Sequence, residues 1–264
     1  GTCVSPTNNA TTAGTENVSK LQIMDGATLD LSNSTVNVYG DIINDGNVIP
    51  GSATVKMMGT TGDQSISGTG TSAFNNLTVD KSNGNVIISQ TVNVENTLTM
   101  TSGDIDNSQV LTLGTTGNTG TLSYSSGHIL GKFKRHFDSD ETAEMLFPVA
   151  KGAIKREGKV KFNQGPGPNQ HLTMEVILGA PTQSQMTNNY NGLPFYASDQ
   201  QLIQVYSNQA FVEIIPTANN YSSAIMSQPY SFEMHADNMS GVVDNQTVRL
   251  IKCAGSTNPN QHHT

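Results

Sequence analysis

The sequence predicts an all-β chain in which an N-terminal parallel β-solenoid, with about 18–19 residues per coil, precedes an antiparallel β-sandwich-like domain. Three observations lead there. Strand starts recur at Val18, Val36, Val55, Phe74, Val92 and Leu111, spaced 18, 19, 19, 18 and 19 residues apart. Within each repeat the apolar period is two: Leu21/Ile23, Leu29/Leu31, Val36/Val38, Leu77/Val79, Val86/Ile88, Val92/Val94 and Leu98/Met100 alternate with Asn, Thr and Ser. The repeats end at turn formers such as Asp25-Gly26, Asp45-Gly46, Thr61-Gly62-Asp63, Asn83-Gly84-Asn85 and Ser102-Gly103-Asp104. No apolar i/i+4 run persists, so a helical reading fails.

A fixed period near twenty, built from short strands, stacks each coil on its neighbours only. The expected organisation is an N-terminal arm over 1–17, the solenoid over 18–131 and the sandwich-like domain over 132–264. From Gly127 the repeat breaks, and Phe133-Lys134-Arg135-His136-Phe137 reads as a transition strand leading to the acidic run 138–144. Further strands are expected around Met145–Val149, Lys159–Phe162, Leu172–Leu178, Gln201–Tyr206, Phe211–Ile215, Tyr230–His235 and Thr247–Cys253. Gly165-Pro166-Gly167-Pro168 and Asn191-Gly192-Leu193-Pro194 punctuate them. Seven short strands between turn signals predict antiparallel pairing into a sandwich.

Charged residues make up only 13% of the chain, well below ordinary globular usage, and the polar surface is Asn, Thr, Ser, Gln and Gly instead. The net charge of −8 is unevenly placed. Residues 1–131 sum to −7 and 162–264 to −4, whereas 132–161 carry +3. A nucleic-acid role needs a larger basic field with interleaved aromatics, so none is expected. No run of apolar residues is long enough to span a bilayer, so no membrane insertion is expected. The start Gly1-Thr2-Cys3 reads as a processed or a trimmed terminus. The two cysteines, Cys3 and Cys253, cannot form a four-thiolate metal site; in a secreted setting they are expected to be oxidised, within one chain or between copies.

The phrase FNNLTVDKSNGNVIISQTVNVENTLTM resembles the β-helical repeats of large secreted surface proteins exported by the type IX route. GHILGKFKRHF, MLFPVAKG and QTVRLIKC resemble the sandwich module that follows such repeats. The resemblance implies export and an extracellular or cell-surface location, and it implies no activity.

Candidate sites are few. Asp104/Asp106, Asp41/Asp45 and Asp138/Asp140 are the carboxylate pairs a glycan-cleaving enzyme would need. Each sits at a turn, where Asp is favoured for bonding the local backbone, so no catalytic residue is assigned. Asp138, Asp140, Glu141 and Glu144 supply hard oxygen ligands for calcium but lack the spacing of a recognised loop, so no cofactor is implied. His128, His136, His171 and His235 are scattered. Lys132, Lys134, Arg135, Lys151, Lys155, Arg156, Lys159 and Lys161 form the basic band, expected as an exposed face that meets the acidic solenoid of another copy. The leading expectation is a non-enzymatic structural subunit that assembles with copies of itself into a filament or sheath. The alternative is a monomeric adhesin or module binding surface glycans, and the third reading is a polysaccharide lyase or hydrolase.

Overall fold

A computed structural model describes residues 2–4, 10–179, 195–196, 202–203, 210–216 and 230–234. The chain is all-β and winds as a parallel solenoid, with six strands on its first face among the described residues. That face stacks Thr2–Val4, Leu21–Ile23, Ile42–Asn44, Gln64–Ser67, Val86–Ile88 and Ile105–Asn107. A second face pairs Ala10–Thr11, Thr28–Asp30 and Asn47–Ile49, and a third begins with Thr15–Val18, Thr35–Val38 and Thr54–Met57. All pairings between coils are parallel, because each coil travels the same circuit as the one below.

The expected alternation is what fills the core. Val36, Val38, Val55, Met57, Leu77, Val79, Leu98 and Met100 are buried, and the residues between them face outward. Each such side chain contributes about 1.5–3 kcal/mol when fully buried. The repeat length differs from the expected 18–19 residues. Paired residues lie 19 positions apart at Thr35 and Thr54 but 24 apart at Ile42 and Ile66. Turns absorb the extra residues. From the fourth coil the second and third faces also merge, in the long strands Ser72–Asp80 and Val92–Ser102, which bend at a register shift between Phe74 and Asn76. Cutting the sequence at apolar strand starts therefore mixes two faces, and Val55 pairs with Leu77 rather than Phe74.

Residues 1–17, expected as an arm, contribute three strands that stack on the next coil: Thr2 pairs with Leu21, Ala10 with Leu29 and Thr15 with Thr35. At the other end the sheet does not stop at 131. Phe133–Phe137 pairs in parallel with Leu111–Leu113 and antiparallel with Gln170–Leu178, which pairs antiparallel with Ala210–Pro216. Among the described residues one ten-stranded sheet thus runs from the first coil into the second half. Met145–Phe147, Gly158–Phe162 and Tyr230–Met234 form a separate antiparallel sheet. Phenylalanines close this end of the core: Phe133 meets Phe147 edge-on at 5.7 Å, and Phe137 meets Phe162 at 5.3 Å. The expected strand Thr247–Cys253 lies outside the described residues.

Four successive coils turn one corner on a glycine with positive φ: Gly62, Gly84, Gly103 and Gly127. Gly84 and Gly127 leave no room for a side chain, since a Cβ at either would lie 2.1 Å from the carbonyl oxygen of the glycine one coil below.

Candidate functional site

The turn carboxylates hold the coils together. Asp41 Oδ1 accepts the Ser65 N–H at 2.7 Å, and Asp63 Oδ1 accepts the Asn85 N–H at 2.8 Å. Asp45 Oδ1 accepts both the N–H and the hydroxyl of Thr69. Asp104 Oδ1 accepts the His128 N–H at 2.8 Å. Each carboxylate lies one coil from its donor and satisfies an amide that the strand ladder leaves over. The candidate pairs therefore divide: Asp41 bonds the strand Gln64–Ser67 of the next coil and Asp45 the turn after it, and Asp104 bonds His128 while Asp106 is exposed.

Asp104 belongs to a cluster that joins the last coil to the second half. His128 Nδ1 lies 3.6 Å from Asp104 Oδ1, and its Nε2 lies 3.2 Å from Glu157 Oε1. Tyr124 donates its hydroxyl to the Gly127 carbonyl at 2.8 Å and lies 3.1 Å from Glu157 Oε1. The His128 hydrogen bond holds the Asp104 carboxyl below the usual carboxylate range, while burial, with Glu157 adding to it, pushes the Tyr124 phenol well up. The arrangement clamps the 154–158 segment to the solenoid. Sequence reasoning did not connect these residues, because Glu157 meets its partners only through the tertiary fold.

The basic band does not form one face. Arg135 is 4% exposed and Arg156 1%, so neither stands on the surface where the sequence reading placed it. Arg135 occupies the buried phase of Phe133–Phe137, in line with the two phenylalanines. Its Nη1 donates to the Leu146 carbonyl at 3.0 Å and its Nη2 to the Gly120 carbonyl at 2.9 Å, with the guanidinium 5.9 Å from the Phe147 ring centroid. Burial lowers its pKa to about 10, against the opposing pull of Glu141. Lys159 pairs with Glu144 at 3.2 Å, and Lys132 stands 4.0 Å from Glu175. Lys134 and Lys151 are half-buried. Lys155 and Lys161 are exposed, with no salt bridge among the described residues.

The calcium candidates do not all come together. Glu144 is taken up by Lys159, and Asp140 lies away from the depression that Asp138, Glu141 and Glu144 line. Among the described residues no three His, Cys, Asp or Glu side chains are grouped to hold a metal ion. Cys3 sits on the edge strand Thr2–Val4, register partner of Gln22, while Cys253 lies outside the described residues.

What remains open is the first coil. Thr2–Val4, Ala10–Thr11 and Thr15–Val18 each have a strand partner on one side only among the described residues. Glu16 is exposed on that edge and is the register partner of Val36. Thr12 closes part of the rim, its hydroxyl 2.6 Å from the Ser34 hydroxyl and 3.2 Å from the Leu31 carbonyl. An unpaired parallel edge of three strands is a template for another chain. No family model, curated protein or solved structure matches the chain.

Proposed function

We propose that the chain is an extracellular structural subunit that assembles head to tail with copies of itself through the open edge of its first coil. The observation that carries this reading is the one-sided pairing of Thr2–Val4, Ala10–Thr11 and Thr15–Val18. Backbone N–H and C=O groups on such an edge find partners in a second chain's strand. Charge supports the same joint. Residues 1–131 sum to −7, and the exposed Lys155 and Lys161 of another copy offer complementary charge to Glu16. Cys3 on the edge strand suits a bridge to Cys253 of the neighbouring copy, which would lock the joint covalently.

The resemblance of the repeats to secreted β-helical surface proteins supports a location outside the cell. The second half is read with it as a sandwich-like module at the far end of the solenoid. No catalytic role is proposed, because Asp41, Asp45 and Asp104 already bond backbone amides of the next coil.

Sedimentation velocity tests the assembly. With the cysteines reduced, the chain at low salt should grow into larger species as concentration rises, and salt well above physiological should shrink them by screening the joint. A single monomeric species at every concentration and salt would end the proposal.

A further inference from the structure

Inside the solenoid, a lysine and a glutamine are enclosed together. Lys81 and Gln64 are each 2% exposed. Lys81 Nζ lies 3.3 Å from Gln64 Oε1 and donates to the Gly59 carbonyl at 3.0 Å. Among the described residues no salt bridge reaches Lys81, so a buried ammonium here has only neutral acceptors. An enclosed charge without a counter-ion is costly. Asp63 pulls the other way, but it is exposed and its Oδ1 takes the Asn85 N–H. Burial outweighs it and holds the Lys81 pKa below the ordinary lysine value. That bias favours the neutral amine, which is the nucleophilic form.

The glutamine is held as a target for such an amine. Its Oε1 accepts the Gly59 N–H at 2.6 Å, which polarises the carbonyl and faces the oxygen where negative charge would develop. Its Nε2 donates to the Val38 and Gly40 carbonyls, so the amide group is fixed in orientation. A C=O bond is about 1.2 Å long, so Gln64 Cδ lies within about 4.5 Å of Lys81 Nζ. Both groups are shut away from solvent, so water does not compete for the carbonyl.

Hydrogen bonding alone leaves a charge enclosed, whereas acylation of Lys81 removes it. The geometry points to an intramolecular isopeptide bond between Lys81 Nζ and Gln64 Cδ. Lys81 first gives one proton to solvent. The Nζ lone pair then attacks Cδ, the C–N bond forms and the carbonyl π pair moves onto Oε1, beside the Gly59 N–H. One Nζ proton passes to Nε2, the Oε1 pair re-forms the carbonyl, and the Cδ–Nε2 bond breaks. Ammonia leaves and takes a proton from solvent. A lysine ammonium and a glutamine amide thus give a secondary amide and an ammonium ion, with nothing oxidised or reduced. The product nitrogen is neutral and keeps one N–H for the Gly59 carbonyl. The link fastens the strand Gln64–Ser67 to the residue that follows Ser72–Asp80. It does not depend on assembly, since both partners belong to one chain.

Mass spectrometry of the full chain, reduced and denatured, tests this. The intact mass should fall short of the sequence mass by one ammonia. Trypsin should not cut after an acylated Lys81, so one peptide over 57–132 with the same deficit should replace 57–81 and 82–132. Gln64→Met should have the full mass of its own sequence and regain the cut after residue 81. A parent chain of full sequence mass that is cut after Lys81 would overturn the proposal, and that measurement decides even where the variant fails to fold. A deficit that fragmentation places at Asn83-Gly84, as a succinimide, would overturn it too. So would a Gln64→Met chain that keeps the deficit.

Discussion

Glu16 stands in register with Val36, in the column that Val36 and Val55 fill in the next two coils. The apolar stack therefore ends on a carboxylate. An inward-register charge at an edge discourages indiscriminate pairing while leaving the backbone edge open to a partner with a matching cation.

If the first coil is the joint, Glu16→Lys should shift the chain toward monomers by setting like charges against each other. Glu16→Val should extend the apolar column and give larger, less salt-sensitive species. Sedimentation velocity distinguishes them, and identical behaviour of both variants and the parent would remove Glu16 from the joint.

The corner glycines should be unequal. Gly84→Ala places a Cβ 2.1 Å from the Gly62 carbonyl oxygen, so the coils must part, at roughly 2–4 kcal/mol including the positive-φ cost. Gly117 has similar φ but open space around it, and Gly117→Ala should cost only about 1 kcal/mol. Urea denaturation checks the difference, and equal losses would contradict the stacked-corner account.

Lys81, 2% exposed, donates through Nζ to the Gly59 carbonyl at 3.0 Å and to Gln64 Oε1 at 3.3 Å. Burial lowers its pKa, with Asp63 opposing. Lys81→Ala removes both bonds and opens a cavity, so a loss of about 2–4 kcal/mol is expected from thermal or chemical unfolding. A loss below the scatter of surface variants would show that the corner relaxes around the missing side chain.

His136 and His171 face each other across antiparallel strands, ring centroids 5.3 Å apart. Burial and the nearby Lys134 push both down to about 4, His136 further disfavoured by His171. Between about 4 and the ordinary value of 6.5 the unfolded chain binds more protons than the folded one. Stability should therefore be full above pH 6.5 and fall as the pH drops toward 4. The double variant His136→Gln/His171→Gln should flatten that part of the melting-temperature profile, and an unchanged slope would count against the pair.

The solenoid was legible because burial alternates with period two and because the turns carry Gly beside Asp or Asn. Coil length was not, since Ser72–Asp80 and Val92–Ser102 run across two faces and shift the cutting points. The burial of Arg135 was legible in principle: Phe133 and Phe137 are four residues apart, so period two puts position 135 on their side. Reading residue type instead of phase placed it on the surface. Lys81 gave no such signal, because its partners Gly59 and Gln64 lie 22 and 17 residues before it in the chain. The depression near Arg135 joins the segment Thr119–Leu122 to Asp138–Leu146, which periodicity does not bring together.

Cryo-electron microscopy of the unreduced chain at low salt is the most direct test of assembly through the first coil. The account predicts filaments with a layer line at about 4.8 Å, because parallel strands would continue from one copy into the next along the fibre axis. Dispersed particles, or filaments in which Thr2–Val4 and Thr15–Val18 remain unpaired on their outer side, would contradict it.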